Sequence, residues 1–118
     1  MMELSAMVRR QIEADVRRGF PVEFQTEVER HDQLMRDLVG LMGEVGEFAN
    51  LLKKVGLGLT TAGYVGPSFH NATPQLREEL ADVAIYIFRL STVVGGNIEE
   101  DILEKMKYND ERYEYLER

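Results

Sequence analysis

The sequence predicts an all-α chain folded as an antiparallel bundle of about four helices, and three observations carry that expectation. Leu34, Leu38, Leu41, Val45, Phe48 and Leu52 step by four and three residues, the stripe of a long helix with one core-facing side. Leu76, Leu80, Val83, Ala84, Ile87, Leu90 and Val94 form a second, broader stripe. Around these segments stand Gly and Pro clusters, at Gly19-Phe20-Pro21, from Gly56 to Pro67 and at Gly95-Gly96, which end helices and start turns.

Taken in order, Leu4, Val8, Ile12 and Val16 recur every fourth position, so residues 4–18 form an amphipathic helix that Gly19 and Pro21 terminate. Val22 to Arg30 shows no clean period, and its boundaries stay open. The long helix carrying Leu34 to Leu52 follows. Gly56 to Thr73 reads as a loop, punctuated by Gly56, Gly58, Gly63, Gly66 and Pro67; its length suits a lid over a site or a short hairpin. Thr73-Pro74 is a helix start, with Thr as N-cap and Pro at the first helical position, and the helix runs to about Val94. Ile85 and Phe88 extend its apolarity to the opposite side, so burial nearly all round is expected, including against another subunit. Asn97 is placed to cap the last helix, with Glu100 at its third position to complete a capping box. That helix runs toward Leu116, and Ile98, Ile102, Lys105, Asn109, Arg112 and Leu116 share one of its sides.

The 118 residues, with no Pro- or Ser-rich linker, are the size of one domain spanning 1–118. Apolar residues at 44% and charged residues at 30% give a globular balance rather than a disordered one. A formal charge of −7 without a Lys/Arg block argues against polymeric nucleic acid as a partner. A phosphate-bearing small molecule stays compatible when cations bridge it to the acids. The absence of cysteine excludes disulfides, thiolate nucleophiles and Cys-ligated zinc. Met1-Met2-Glu3-Leu4-Ser5 lacks an apolar leader core and no run approaches a membrane span, so a soluble, cytoplasmic protein without a membrane partner is expected.

The chemistry concentrates in two carboxylate pairs. Glu44 and Glu47 stand one turn apart on the long helix, Glu79 and Asp82 one turn apart on the next. At about 100° per residue, Glu44 falls inside its helix's apolar arc and Glu47 just beyond the edge marked by Leu51; Glu79 falls inside the second stripe and Asp82 at its edge. One such pair is an ordinary solvated charge pattern. Two pairs on two helices, each with its first acid aimed inward, match the way helical bundles build metal sites. Four crowded carboxylates need protons or a cation. Oxygen ligands with no Cys and no nearby His select a hard divalent ion, Mg²⁺ or Mn²⁺. Of the four acids, Glu44 most needs the cation, and Glu47, at the edge, can reach water as general base. His31 and His70 lie in polar settings away from the acids and read as surface residues. Gly56-x-Gly58 fails the dinucleotide-loop pattern at Thr61 and follows a helix.

Leu41-Met42-Gly43-Glu44-Val45-Gly46-Glu47 with Glu78-Glu79-Leu80-Ala81-Asp82-Val83 resembles the MazG-like, all-α nucleotide pyrophosphohydrolases, whose signature is Glu-x-x-Glu followed on a later helix by Glu-x-x-Asp. The similarity reaches from about Leu34 to Arg112, and Lys105 to Arg112 matches the family's C-terminal Lys, Asn and Arg pattern. The resemblance implies Mg²⁺-dependent hydrolysis of a nucleoside triphosphate to monophosphate and pyrophosphate in a homodimer or homotetramer. In that reading Glu44, Glu47, Glu79 and Asp82 hold metal, while Lys105, Asn109 and Arg112, with Lys54 as a weaker candidate, meet the substrate phosphates. Within the enzyme class, phosphoribosyl-ATP, dUTP or dCTP are alternative substrates. Outside it, the alternative is a non-catalytic helical oligomerisation module.

Overall fold

The computed structural model describes residues 2–117 and is all-helical over them. Helix α1 spans Leu4–Arg17, α2 Glu27–Thr60, α3 Phe69–Val93 and α4 Ile98–Arg112, followed by a 3₁₀ turn at Glu114–Leu116. Two helix ends fall where glycine predicts them. Gly19 adopts φ 88°, the Gly19 amide donates to Val16 and the Phe20 amide to Asp15, closing α1 with a left-handed glycine cap. Gly95, at φ 83°, ends α3 the same way, with bonds from Gly95 to Thr92 and from Gly96 to Ser91. Asn97 Oδ1 then accepts from the Glu100 amide and starts α4.

The segment from Gly56 to Thr73 is shorter as a loop than its composition suggests. Helix α2 continues through Gly56 and Gly58 to Thr60, and α3 begins at Phe69, so only residues 61–68 connect them. Each helical glycine costs about 1 kcal/mol relative to alanine. Val55, Ala72 and Leu76, buried together with Phe48 and Leu51 packed on them, form the apolar core at this end and offset that cost. The cap of α3 is Ser68, whose hydroxyl accepts from the Asn71 amide, not Thr73. Thr73 donates instead to the Phe69 carbonyl, and Pro74 sits inside the helix. No strand occurs among the described residues, so there is no hairpin here. The loop packs back on the end of α2, where a Cβ on Gly66 would stand 2.6 Å from the Lys54 carbonyl.

Helices α2 and α3 pack along one another and make most of the tertiary contacts. Arg30 meets Val93, Asp37 meets Arg89, Gly40 meets Tyr86 and Glu44 meets Asp82, so numbering rises along one helix as it falls along the other. The buried side of α2 carries Gln33, Asp37, Gly40, Glu44, Phe48, Leu51 and Val55, a three-and-four-step seam offset by one residue from the stripe predicted to face the core. Leu38, Val45 and Leu52 of that stripe are exposed. On α3 the same happens: Phe88, predicted on the opposite side, is buried, whereas Leu80 is 53% exposed and Ile87 and Val94 are exposed with it. The inward seam is polar at one end and apolar at the other, and part of each predicted stripe, Leu38, Val45 and Leu52 on α2 and Leu80, Ile87 and Val94 on α3, is left exposed.

Candidate metal centre

The polar half of the α2–α3 seam carries the predicted acids. One carboxylate oxygen each from Glu44, Glu79 and Asp82 lies within 4.8 Å of the others. Oxygens on opposite sides of an ion bound at 2.0–2.6 Å are about 4–5 Å apart, so the three converge on a volume that one divalent cation fills. Glu79 is the most buried of the three at 7% exposure, and its Oε2 has no hydrogen-bond partner. A buried, unpartnered carboxylate oxygen is costly. With the two further carboxylates it makes an all-oxygen donor set, and that set fits a hard cation. The sequence had given that need to Glu44; burial assigns it to Glu79, because Glu44 is only half-buried.

Glu47 stands outside the triad, exposed on the next turn of α2, yet coupled to it. Hydrogen bonding with Glu79, that group's negative charge and partial desolvation push the Glu47 carboxyl above its ordinary range. Glu79 is pushed the same way, first by hydrogen bonding with Glu44 and then by desolvation. The cluster therefore holds a proton readily when no cation is present. No Lys or Arg among the described residues forms an ion pair with any of the four acids.

From Glu44 and Asp82 the seam opens into a cleft of about 820 Å³. Tyr86 forms its floor, packed so closely on Gly40 that a Cβ there would stand 2.6 Å from Tyr86 Oη. Asp37 and Arg89 lie two turns beyond the acids, and Phe20, Pro21 and Phe24 of the α1–α2 connection wall the far end. Arg89 is buried at 5% exposure: its Nε donates to Asp37 Oδ1 at 3.0 Å and one terminal nitrogen to Asp15 Oδ2 at 3.1 Å. Burial pulls the guanidinium down, but the two carboxylates outweigh it and hold it above its ordinary value. Gln33 and Gln11 donate to Asp37 and Asp15 in turn, while Asp37 Oδ2 keeps no partner.

The predicted phosphate-binding residues lie elsewhere in the single chain. Lys105 is exposed with its ammonium 4.7 Å from the Tyr108 ring centroid, and Arg112 stacks 5.1 Å from Tyr113. Asn109 is half-buried, and α4 packs against α1 and α3 rather than α2. Lys54 is exposed, two turns past Glu47 toward the loop. Neither these four nor any residue of 61–68 lines the cleft. His31 pairs with Asp32 at 3.5 Å on the surface, and His70 is exposed. Sequence reading missed Asp15, Asp37, Gly40, Tyr86 and Arg89. The signal was present: 37, 40 and 44, like 82, 86 and 89, continue each acid's own three-and-four spacing. Comparison with family models, characterised proteins and solved structures gave no match.

Proposed function

We propose that the chain is a nucleotide pyrophosphohydrolase that converts a nucleoside triphosphate to the monophosphate and pyrophosphate, in nucleotide-pool housekeeping. The observation that carries this reading is the convergence of Glu44, Glu79 and Asp82, one oxygen buried without a partner, at the end of a cleft with an aromatic floor. The resemblance of both acid motifs to the MazG-like family supports it. Glu44, Glu79 and Asp82, with Glu47 adjoining, are the residues to hold Mg²⁺ or Mn²⁺. When bound, the cation polarises the phosphates and lowers the barrier to attack by water. The bond formed joins water oxygen to the α-phosphorus, the bond broken joins that phosphorus to the bridging oxygen, and pyrophosphate leaves. Glu47, solvent-exposed beside the triad, takes the proton of the attacking water.

The working unit in this reading is a homodimer or homotetramer. The uncovered stripes on α2 and α3 support it, as does an α4 with no buried residue. In such an assembly Lys105, Asn109 and Arg112 neutralise and orient the polyphosphate from a neighbouring copy. Pyrophosphate release across the common NTPs and dNTPs with Mg²⁺ tests the reading, and no release from any nucleotide at high protein concentration sinks it. Glu47→Gln and Asp82→Asn are expected to abolish release with helical content intact. Wild-type turnover in both refutes the site assignment.

A further inference from the structure

We infer that Arg89 is a positioning residue for nucleoside recognition, clamping the α1–α2 connection as the far wall of the cleft; this rests on the function proposed above. Its guanidinium donates to the Pro21 carbonyl at 3.0 Å and the Phe20 carbonyl at 3.4 Å, while Asp37 and Asp15 hold it from α2 and α1. Among the described residues no other hydrogen bond ties residues 21–25 to the helices. The clamped segment contributes Phe20, Pro21 and Phe24 to the cleft and no member of the acid triad.

Arg89 is thus a single fork joining three helices' worth of structure to one wall. Two carboxylates against one guanidinium, with Asp37 Oδ2 unpartnered, is a costly way to stabilise a small bundle, since apolar residues of similar volume usually do so as well or better. The planar fork does what an apolar group cannot: it fixes the direction of two backbone carbonyls and hence of the flanking Phe20 and Phe24. Lysine keeps the charge but presents a compact ammonium with three donors, too few in the wrong geometry to hold all four partners.

The test compares wild type with Arg89→Lys and Phe24→Ala across a nucleotide panel with Mg²⁺, together with amide hydrogen exchange over residues 19–26. In Arg89→Lys we expect KM for the preferred nucleotide to rise roughly tenfold with kcat changed less than about threefold, the mark of lost binding rather than lost chemistry. Preference among bases narrows, exchange of the hydrogen-bonded Gly19 and Phe20 amides accelerates, and inhibition by inorganic tripolyphosphate, which has no base, is unchanged. Phe24→Ala narrows the preference without disturbing the buried network. Unchanged base preference in both variants overturns the inference, as does a fall in kcat at constant KM. If Arg89→Lys loses helical content, Phe24→Ala decides alone. If wild type hydrolyses no nucleotide, the proposed function fails, and exchange still reads the clamp at the two hydrogen-bonded amides beside it: protection of Gly19 and Phe20 equal to wild type in Arg89→Lys refutes it separately.

Discussion

At Glu79 the chain puts a carboxylate oxygen where neither water nor a donor reaches it, next to Glu44, Asp82 and Glu47. The consequence is a pH dependence with a definite sign. Glu47 and Glu79 both titrate above the ordinary value of 4.5, so between that value and the raised ones the native state holds protons that the unfolded chain has released. Their contribution to stability is full below about 4.5 and is lost as pH rises through the raised values. In chelator, the thermal midpoint should fall across that window, and the Glu47→Gln/Glu79→Gln double variant should flatten the decline. An identical slope in the double variant removes these two groups as its source. Because protons compete for the same oxygens, Mg²⁺ added at constant concentration should raise the midpoint more at pH 8 than at pH 5.

Single elements carry their own consequences. The α2–α3 approach at Gly40 admits the Tyr86 ring only because position 40 has no side chain. Gly40→Ala gains helix propensity but overpacks the seam, and the net cost should be about 1–3 kcal/mol in urea unfolding. A stabilised variant would contradict the contact. At the start of α4, Asn97→Ala removes the acceptor for the Glu100 amide and should cost about 1 kcal/mol, read as a lower urea midpoint. Helix limits were legible where a local signal had no competitor, as at Gly19, Gly95 and Asn97. They were misread at Gly56 and Thr73, where packing of Val55 against Ala72 and Leu76 outweighs local propensity and lies far apart in sequence.

The molecule as a whole is too open for its length. Its radius of gyration is 18.4 Å, against about 13.5 Å for a compact chain of this size. Its accessible surface is 9057 Å², against about 6,600 Å² expected. The excess exceeds the roughly 800 Å² that each partner buries in a standard interface. It is also patterned: Met35, Leu38, Val39, Met42 and Val45 form an exposed stripe on α2, and Leu80, Ile87 and Val94 recur as exposed residues at two-turn intervals on α3. Sedimentation equilibrium should therefore return a dimer or larger assembly, and Met42→Glu with Leu80→Glu should dissociate it and lower the thermal midpoint. A wild-type monomer at micromolar concentration would refute that assembly. No helix among the described residues is long and apolar enough to cross a membrane.

The sequence by itself determined the helical fold and the two acid pairs, because three-and-four spacing places residues on a helix face whatever the neighbours do. It placed both Glu47 and Asp82 at the edges of their stripes, and only the structure parts the two, bringing Asp82 to Glu44 and Glu79 and leaving Glu47 outside. Which face turns inward was decided only by tertiary structure. The Asp37–Arg89 pair and the Gly40–Tyr86 approach fix α2 against α3 one residue away from the apolar stripe, and the Asp15–Arg89 pair ties α1 to the same point of α3. A seam charged at one end and apolar at the other is thereby enclosed, and part of each apolar stripe is left outside. A periodicity analysis assigns the inside to whichever stripe is most apolar. Here that rule fails, because the buried polar groups satisfy one another across helices 52 and 74 residues apart in sequence, and no local spacing encodes such pairs.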